Sequence, residues 1–327
     1  MNAPETVSIR PESPHQLHAT TEADAQYFLE QVAERISRCR EFAIPVLESG
    51  QQYIETVSQL HQDGYVILRN YFPKDLINSL GAQVENMVRT RVGLCPIRAH
   101  AQETSEDLTE GTYHYFSNQF YHDESSPLDS LVSSVGVEDP LISLKDTPTV
   151  VFDPGILGMA TAFYGAMPLV TFLKVRHAFG NSLAPADTQL FHVDGGSFRI
   201  FKALLYLHDV PEGGGPFCYV RGSHRKKWSG WEQKARYTDS EIEDVYGSEA
   251  IIRCYAQAGD VIIADTTGIH RGEKPVNVNR SILIANYCIH PEYGFEHPHI
   301  LIKKQDRDTL SPFGQLAAEH LVEVEKV

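Results

Sequence analysis

The second half of the chain is a succession of short β-forming segments separated by turns rich in glycine and proline. Many short strands at this spacing are typical of a β-sandwich, a jelly roll or a barrel. One helix interrupts them, because Thr238 and Glu241 form a capping box and Gly247 lies where that helix would end. The predicted strands are Leu169–Ala178, Phe198–His208, Phe217–Val220, Ala250–Tyr255, Asp260–Ala264 and Ser281–His290.

The chain before residue 93 is predicted to be mainly helical, with apolar side chains at helical spacing over residues 23–60 and again after Pro73, and with a short strand at Val66–Leu68. We therefore predict a single, mainly β domain with flanking helices (α+β) over residues 23–327. A disordered segment, residues 1–22, is expected to precede it. The predicted parts of the domain are N-terminal helices and a first strand (23–92), a variable insert and possible lid (93–167), a β core (168–290) and a C-terminal extension (291–327).

The 327 residues carry a formal net charge of -15, which argues against a nucleic-acid backbone or an anionic membrane surface as the main partner. No segment approaches the roughly 18 apolar residues needed to cross a bilayer, and the polar N-terminus lacks the apolar stretch of a signal peptide. The five cysteines are scattered, form no C-x-x-C pair and fit a reducing compartment. We expect a cytoplasmic protein whose partner is a small molecule; the sequence does not indicate its oligomeric state.

His192 and Asp194 lie two residues apart, just before Gly195 and Gly196. In an extended chain two such side chains point to the same face, so the imidazole and the carboxylate can reach one point. The glycines allow a sharp turn and the close approach of a substrate. Alone, the pair is a weak indication of a metal site, because His-x-Asp triplets often arise by chance.

His270 supplies a third possible ligand, beyond the apolar run Val261–Ala264 and between Gly268 and Gly272. Two histidines and one carboxylate form a facial triad, which leaves three coordination positions open on Fe(II). A 2-oxo acid can occupy two of these positions and O2 the third. The three residues therefore predict a mononuclear iron site.

Arg280 lies ten residues beyond His270, at the start of an apolar strand. Because that strand is apolar enough to be buried, Arg280 should face a cavity near its end. A guanidinium group can hold a carboxylate through two parallel hydrogen bonds, which a lysine does less specifically. Arg280 is therefore predicted to bind the distal carboxylate of 2-oxoglutarate.

In order and spacing, His192, Asp194, His270 and Arg280 resemble the iron motif of the phytanoyl-CoA dioxygenase family of Fe(II)/2-oxoglutarate oxygenases. The resemblance extends from about residue 60 to residue 290 and includes three further segments: 63–68, 215–224 and 258–265. It implies a double-stranded β-helix, which is a distorted, cupin-like jelly roll, with helices packed outside. It also implies Fe(II) as the metal, 2-oxoglutarate and O2 as co-substrates, and succinate and CO2 as products.

Further candidate residues lie near this motif. Lys174, Gln189 and Lys202 are polar candidates for contacts with 2-oxoglutarate, and Lys174 lies where some family members place a cofactor-contacting residue. Asp265, five residues before His270, could orient a ligand imidazole or stabilise a turn instead.

The retained carboxylate of Asp194 favours hydroxylation, because halogenating relatives replace this residue with a small one. We predict hydroxylation of an unactivated carbon of a small metabolite or biosynthetic intermediate, since no extended basic run suggests a site for the phosphates of a CoA ester. Two alternatives remain: a non-catalytic β-helix module that binds a metal or ligand, and a cupin-like isomerase or hydrolase with another metal. The complete set of four motif residues counts against the first. Enzymes of the second kind usually present more histidines to the metal.

Overall fold

The computed structural model describes residues 26, 29–30, 33–37, 39, 51–96, 127–130, 132–185, 187–195, 199–227, 231, 234–289 and 300–325. The predicted disordered segment 1–22 lies outside these residues. Residues 97–126 of the predicted insert also lie outside them. The strands are β1 (Tyr65–Leu68), β2 (Leu94–Pro96), β3 (Ser134–Val137), β4 (Leu169–Ala178), β5 (Phe201–Tyr206), β6 (Phe217–Val220), β7 (Ile251–Cys254), β8 (Val261–Asp265), β9 (His270–Gly272), β10 (Arg280–Cys288), β11 (Leu301–Lys303) and β12 (Val322–Val324).

Helices lie on both sides of these strands in the sequence, and residues 33–37 are also helical. The helices with defined bounds are α1 (Gln51–Asp63), α2 (Lys74–Thr90), α3 (Pro140–Ser143), α4 (Thr147–Val151), α5 (Pro154–Tyr164), α6 (Asp239–Tyr246), α7 (Lys304–Thr309) and α8 (Pro312–Ala317). None of the helices in the described ranges is long and apolar enough to cross a bilayer.

Two antiparallel sheets form the body of the domain. The larger sheet has the strand order β1-β8-β5-β10-β4-β3-β2, and the smaller has the order β7-β6-β9. Residues 191–192 extend the smaller sheet next to β9 through backbone hydrogen bonds between His192 and His270. In the larger sheet, strands distant in sequence are neighbours, as in the run β1-β8-β5-β10-β4, which is typical of a jelly roll. The architecture confirms the predicted fold class, a double-stranded β-helix with flanking helices.

The larger sheet is buried on both faces, which explains its nearly continuous apolar strands. On β5, Ala203 and Leu205 pack against the helices, whereas Leu204 and Tyr206 pack against the smaller sheet. Side chains alternate along a strand, so Lys202 shares the inner face with Leu204 and Tyr206.

The same alternation holds on β10, where Leu283 and Ala285 face the helices and Ile282 faces the smaller sheet. Arg280, the first residue of β10 and two residues before Ile282, therefore lies on the inner face of the barrel. The inner face is the surface on which the predicted site residues meet. The finer division of residues 23–327 into four parts stays a prediction.

Candidate metal centre and co-substrate site

The side chains of His192, Asp194 and His270 converge, with one ligand atom of each lying within 4.8 Å of the others. Nε2 of His192 is 3.7 Å from Oδ1 of Asp194, and Nε2 of His270 is 3.6 Å from Oδ2. The two imidazole centroids are 4.3 Å apart. Two imidazole nitrogens and one carboxylate are a donor set that suits a divalent transition metal such as Fe(II).

Backbone pairing explains why His192 and His270 are neighbours. Each donates its N–H to the carbonyl oxygen of the other at 2.9 Å, and the N–H of Asp194 donates to the carbonyl of Thr266 at 3.0 Å. Directly opposite residues of an antiparallel pair project to the same face. The smaller sheet thus positions both imidazoles on one side, above the inner face of the larger sheet.

Main-chain carbonyls orient both imidazoles. Nδ1 of His192 is 2.9 Å from the carbonyl oxygen of Leu190, and Nδ1 of His270 is 2.9 Å from that of Gly268. Because a carbonyl oxygen only accepts hydrogen bonds, each Nδ1 carries the proton and each Nε2 presents a lone pair toward Asp194. Burial lowers the pKa of both rings, that of His270 to about 4, so both are neutral at pH 7.

Gly268 can hold His270 in this way only because it has no side chain. A Cβ atom at this position would overlap the hydroxyl of Tyr219, which is buried and donates to the carbonyl of Asp265 at 2.7 Å. The glycine before His270 in the sequence therefore has a packing role in the smaller sheet.

Asp194 is ionised in this environment. Burial alone would raise the pKa of its carboxyl group, but the Lys202 ammonium and the two imidazoles outweigh that effect and hold the pKa well below its usual range. Nζ of Lys202 donates directly to Oδ2 of Asp194. The sequence predicts Lys202 as a contact of 2-oxoglutarate, whereas here its partner is the carboxylate of the candidate metal centre.

The side chain of Arg280 extends from β10 toward β9, the strand that begins with His270. A Cβ atom on Gly272 would lie 3.3 Å from Nη2 of Arg280, and Nη1 donates to the carbonyl of Glu273 at 3.2 Å. The side chain is only 3% exposed, and its Nε has no hydrogen-bond partner among the described residues. Burial lowers the pKa of Arg280 from its ordinary, very high value. A buried guanidinium with an unused N–H is a fitting receptor for a carboxylate.

Arg176, which the sequence reasoning missed, lies close to Arg280 on the inner face of β4. It is 8% exposed, pairs across the sheet with Ile282, and donates from Nη1 to Oγ1 of Thr188 at 2.5 Å. Its pKa is lowered to about 10, mainly by burial; the nearby Asp187 carboxylate opposes this shift, and the nearby Arg280 contributes to it. The sequence did contain one indication of this residue: Arg176 follows Lys174 by two positions on one strand, so the two side chains must share a face.

The remaining candidates have different surroundings. Lys174 lies on the inner face of β4 opposite Ile284, and Gln189 is buried in the turn that leads to His192. Asp265 does not contact either imidazole: its carboxylate accepts from the hydroxyl of Thr267 at 2.7 Å and pairs with Arg199 at 3.4 Å. The orienting role considered for Asp265 belongs to the two carbonyl groups, and Asp265 stabilises the turn before His270.

A sequence-family comparison agrees with this geometry: the model named "Phytanoyl-CoA dioxygenase (PhyH)" matches residues 60–277. The chain belongs to the phytanoyl-CoA dioxygenase family. This confirms the family predicted from the motif and, with it, the enzyme class, a 2-oxoglutarate-dependent non-haem iron dioxygenase with Fe(II), 2-oxoglutarate and O2 as cofactor and co-substrates.

Solved structures show the same fold. The epimerase SnoN in complex with Fe3+, alpha ketoglutarate and nogalamycin RO is 14% identical with a TM-score of 0.51, and the match covers 72% of this chain and 83% of SnoN. EctD from S. alaskensis in its apoform is 15% identical with a TM-score of 0.50, over 75% of this chain and 82% of EctD. No curated protein matches the chain in sequence. At these identities the structural likeness speaks to the fold alone.

Proposed function

We propose that the enzyme hydroxylates an unactivated carbon of a small metabolite, with Fe(II) held by His192, Asp194 and His270 and the distal carboxylate of 2-oxoglutarate held by Arg280. The observation that supports this most directly is the convergence of three ligand atoms within 4.8 Å, with both imidazoles neutral and oriented. Arg280, whose guanidinium lies against Gly272 and is buried without a carboxylate partner among the described residues, supplies the second half of the site.

The residues fit both groups. A facial set of two histidines and one carboxylate leaves open positions for a chelating 2-oxo acid. When bound, iron and 2-oxoglutarate supply the oxidising chemistry, in which O2 delivers one oxygen atom to the substrate and one to succinate, with release of CO2. Nε of Arg280 has no hydrogen-bond acceptor among the described residues, so it is available to donate to a carboxylate.

The chain itself prepares and encloses this site. His192 and His270 are ready to bind a metal without first losing a proton, because burial keeps their Nε2 atoms unprotonated. Lys202 keeps Asp194 ionised and fixes one of its oxygens. Leu204 and Ile282 make the inner face of the larger sheet apolar around these polar groups, which favours the exclusion of water.

The type of oxidation is the finer part of the proposal. Asp194 occupies the position that a halide would need, so we favour insertion of oxygen. SnoN, which shares the fold, is an epimerase; product mass separates these outcomes, because hydroxylation adds one oxygen atom and epimerisation adds nothing.

The first experiment is an anaerobic titration of the metal-free protein with Fe(II) and then 2-oxoglutarate, followed by visible absorption. We expect the weak charge-transfer band of the iron–2-oxoglutarate chelate in the wild type. The band should be absent in His270→Ala and should require much more 2-oxoglutarate in Arg280→Gln.

The matched control is His224→Ala, because His224 is a histidine near the same end of the barrel that bonds to the carbonyl of His61. This variant should keep the band. Iron binding without a band in the wild type would contradict the proposal and favour a binding module or an enzyme with other chemistry.

A further inference from the structure

Among the described residues, the guanidinium groups of Arg176 and Arg280 have no carboxylate in ion-pair contact, and the carboxylate nearest to Arg176, that of Asp187, is engaged with Arg236. Asp194 is paired with Lys202, and Asp187 is paired with Arg236 at 2.5 Å. Neither Arg176 nor Arg280 forms an ion pair with any residue in the described part of the chain. A buried charge without a partner is costly, so such groups usually await a ligand of opposite charge.

The charges of the described residues indicate that 2-oxoglutarate alone does not neutralise both arginines. Lys202, Arg236, Arg176 and Arg280 contribute four positive charges, and Asp187 and Asp194 contribute two negative charges. Among these residues the excess is two positive charges. Fe(II) and the 2-oxoglutarate dianion cancel each other, so their binding leaves the same excess in place.

The two arginines lie on neighbouring strands of the larger sheet and share its inner face, but their hydrogen bonds tie them to different segments. Arg280 is tied to the carbonyl of Glu273, beyond the metal-binding histidine of β9. Arg176 is tied to Thr188, in the turn that leads to His192. Their like charges repel, and the Nε atoms of both have no hydrogen-bond partner in the described part of the chain and can donate. Arg280 is accounted for by the distal carboxylate of 2-oxoglutarate, whereas Arg176 is not.

We propose that Arg176 binds an anionic group of the substrate, a carboxylate or a phosphate, so that the enzyme acts on anionic small molecules. This inference rests on the proposed function and names the substrate class of the same site. Arg176 sets specificity by pairing with the substrate through charge-assisted hydrogen bonds in a buried place.

Three variants separate this role from the alternatives: Arg176→Gln removes the charge, Arg176→Lys keeps it, and Arg280→Gln serves as the matched control. In the anaerobic titration, we expect Arg280→Gln to weaken 2-oxoglutarate binding about 30-fold, as for a lost hydrogen bond to a charged group. Arg176→Gln should change the affinity for 2-oxoglutarate by less than about 3-fold, because no hydrogen bond to the co-substrate is lost. Equal weakening by both variants would assign Arg176 to the co-substrate and overturn the proposal.

Unfolding of the metal-free protein provides a readout that does not depend on activity. Because Arg176 is a buried cation next to another cation, Arg176→Gln should leave the melting temperature unchanged or raise it. A marked fall in melting temperature in Arg176→Gln, restored by Arg176→Lys, would show a structural arginine and overturn the proposal.

Substrate class is then tested with matched compounds: carboxylic acids with their primary amides, and phosphate monoesters with their parent alcohols. We expect the anionic member of a pair to stimulate succinate formation, and we expect this stimulation to be lost in Arg176→Gln. Carboxylic acids and phosphate monoesters are tested in separate arms, which shows which anion the enzyme accepts. Stimulation only by neutral members would overturn the inference. Absence of the chelate band in the wild type is a separate result, which would reject the proposed function and leave the unfolding test of Arg176 valid.

Discussion

His177 follows Arg176 in the sequence but faces the opposite side of β4. Its ring lines a cavity of about 360 Å³ together with Glu85, Arg89 and His208, between the larger sheet and helix α2. Nδ1 of His177 is 2.8 Å from Oγ of Ser281, and Nε2 has no partner among the described residues. Burial, with a smaller effect from His208, lowers the pKa of His177 to about 4.

This pKa makes the folded protein sensitive to acid. The unfolded value is about 6.5, so between about pH 6.5 and pH 4 the unfolded chain binds a proton that folded His177 does not. The free energy of unfolding should therefore fall as the pH falls through this window, by up to about 3 kcal/mol from His177. Above the window His177 contributes no pH dependence.

His177→Asn should abolish this part of the pH dependence while keeping a polar group near Ser281. The measurement is urea unfolding of the metal-free wild type and variant at pH 7, 6 and 5. For each protein, the free energy of unfolding is plotted against pH. The difference between the slopes of the two plots separates the contribution of His177 from those of His208 and of the metal-binding histidines. Parallel pH profiles of the two proteins would contradict the prediction.

At the scale of single elements, helix α6 links the capping box to the metal centre. Thr238 accepts from the N–H of Glu241, and the Glu241 side chain accepts from the N–H of Thr238. The first residue of the helix, Asp239, pairs with the guanidinium of Arg271, the residue after His270. The start of this helix is therefore coupled to the strand that carries a metal ligand.

Thr238→Ala should lower the free energy of unfolding by about 1 kcal/mol, because it removes the acceptor that caps the helix. Thr238→Ser keeps the hydroxyl and should stay within a few tenths of a kcal/mol of the wild type. Chemical denaturation of both variants tests this. Equal losses in the two variants would mean that the threonine methyl group, and not the cap, stabilises this region.

The sequence predicted elements best where local signals were strong. Strands β4 and β6 have the predicted bounds, and α6 follows its capping box. Strands β2 and β3 and helix α5 were not predicted. The two strands have only 3 and 4 residues, too few for periodicity to show, and β3 is held by pairing with β4.

The candidate site shows a similar limit. His192, Asp194, His270 and Arg280 form a sequence motif whose spacing points to one function. The spacing of Arg176 from Lys174 indicates only a shared face; the importance of Arg176 depends on which carboxylates are already paired in the folded protein, which the spacing does not show. The same holds for the ligand-orienting groups, which are backbone carbonyls and carry no sequence signature.

At the scale of the whole molecule, the candidate metal centre joins segments far apart in sequence. His192 and Asp194 precede β5, whereas His270 begins β9, and one metal ion would tie these segments together. A ligand that binds only the folded state stabilises it in proportion to its concentration and affinity.

Mn(II), used as a redox-stable substitute for Fe(II), should therefore raise the melting temperature. At a concentration 100 times its dissociation constant, the expected gain is about 2.7 kcal/mol, or roughly 5 °C for a chain of this size. Calorimetry with and without Mn(II) measures the shift, and a chelator should reverse it. An equal shift in His192→Ala would place the bound metal elsewhere.

The use of main-chain carbonyls to orient both imidazoles has an evolutionary consequence. Side chains that line the rest of the barrel can be exchanged without altering which nitrogen of either ring is protonated. The reactive centre can thus be inherited intact while the neighbouring wall, including the position of Arg176, is free to diverge.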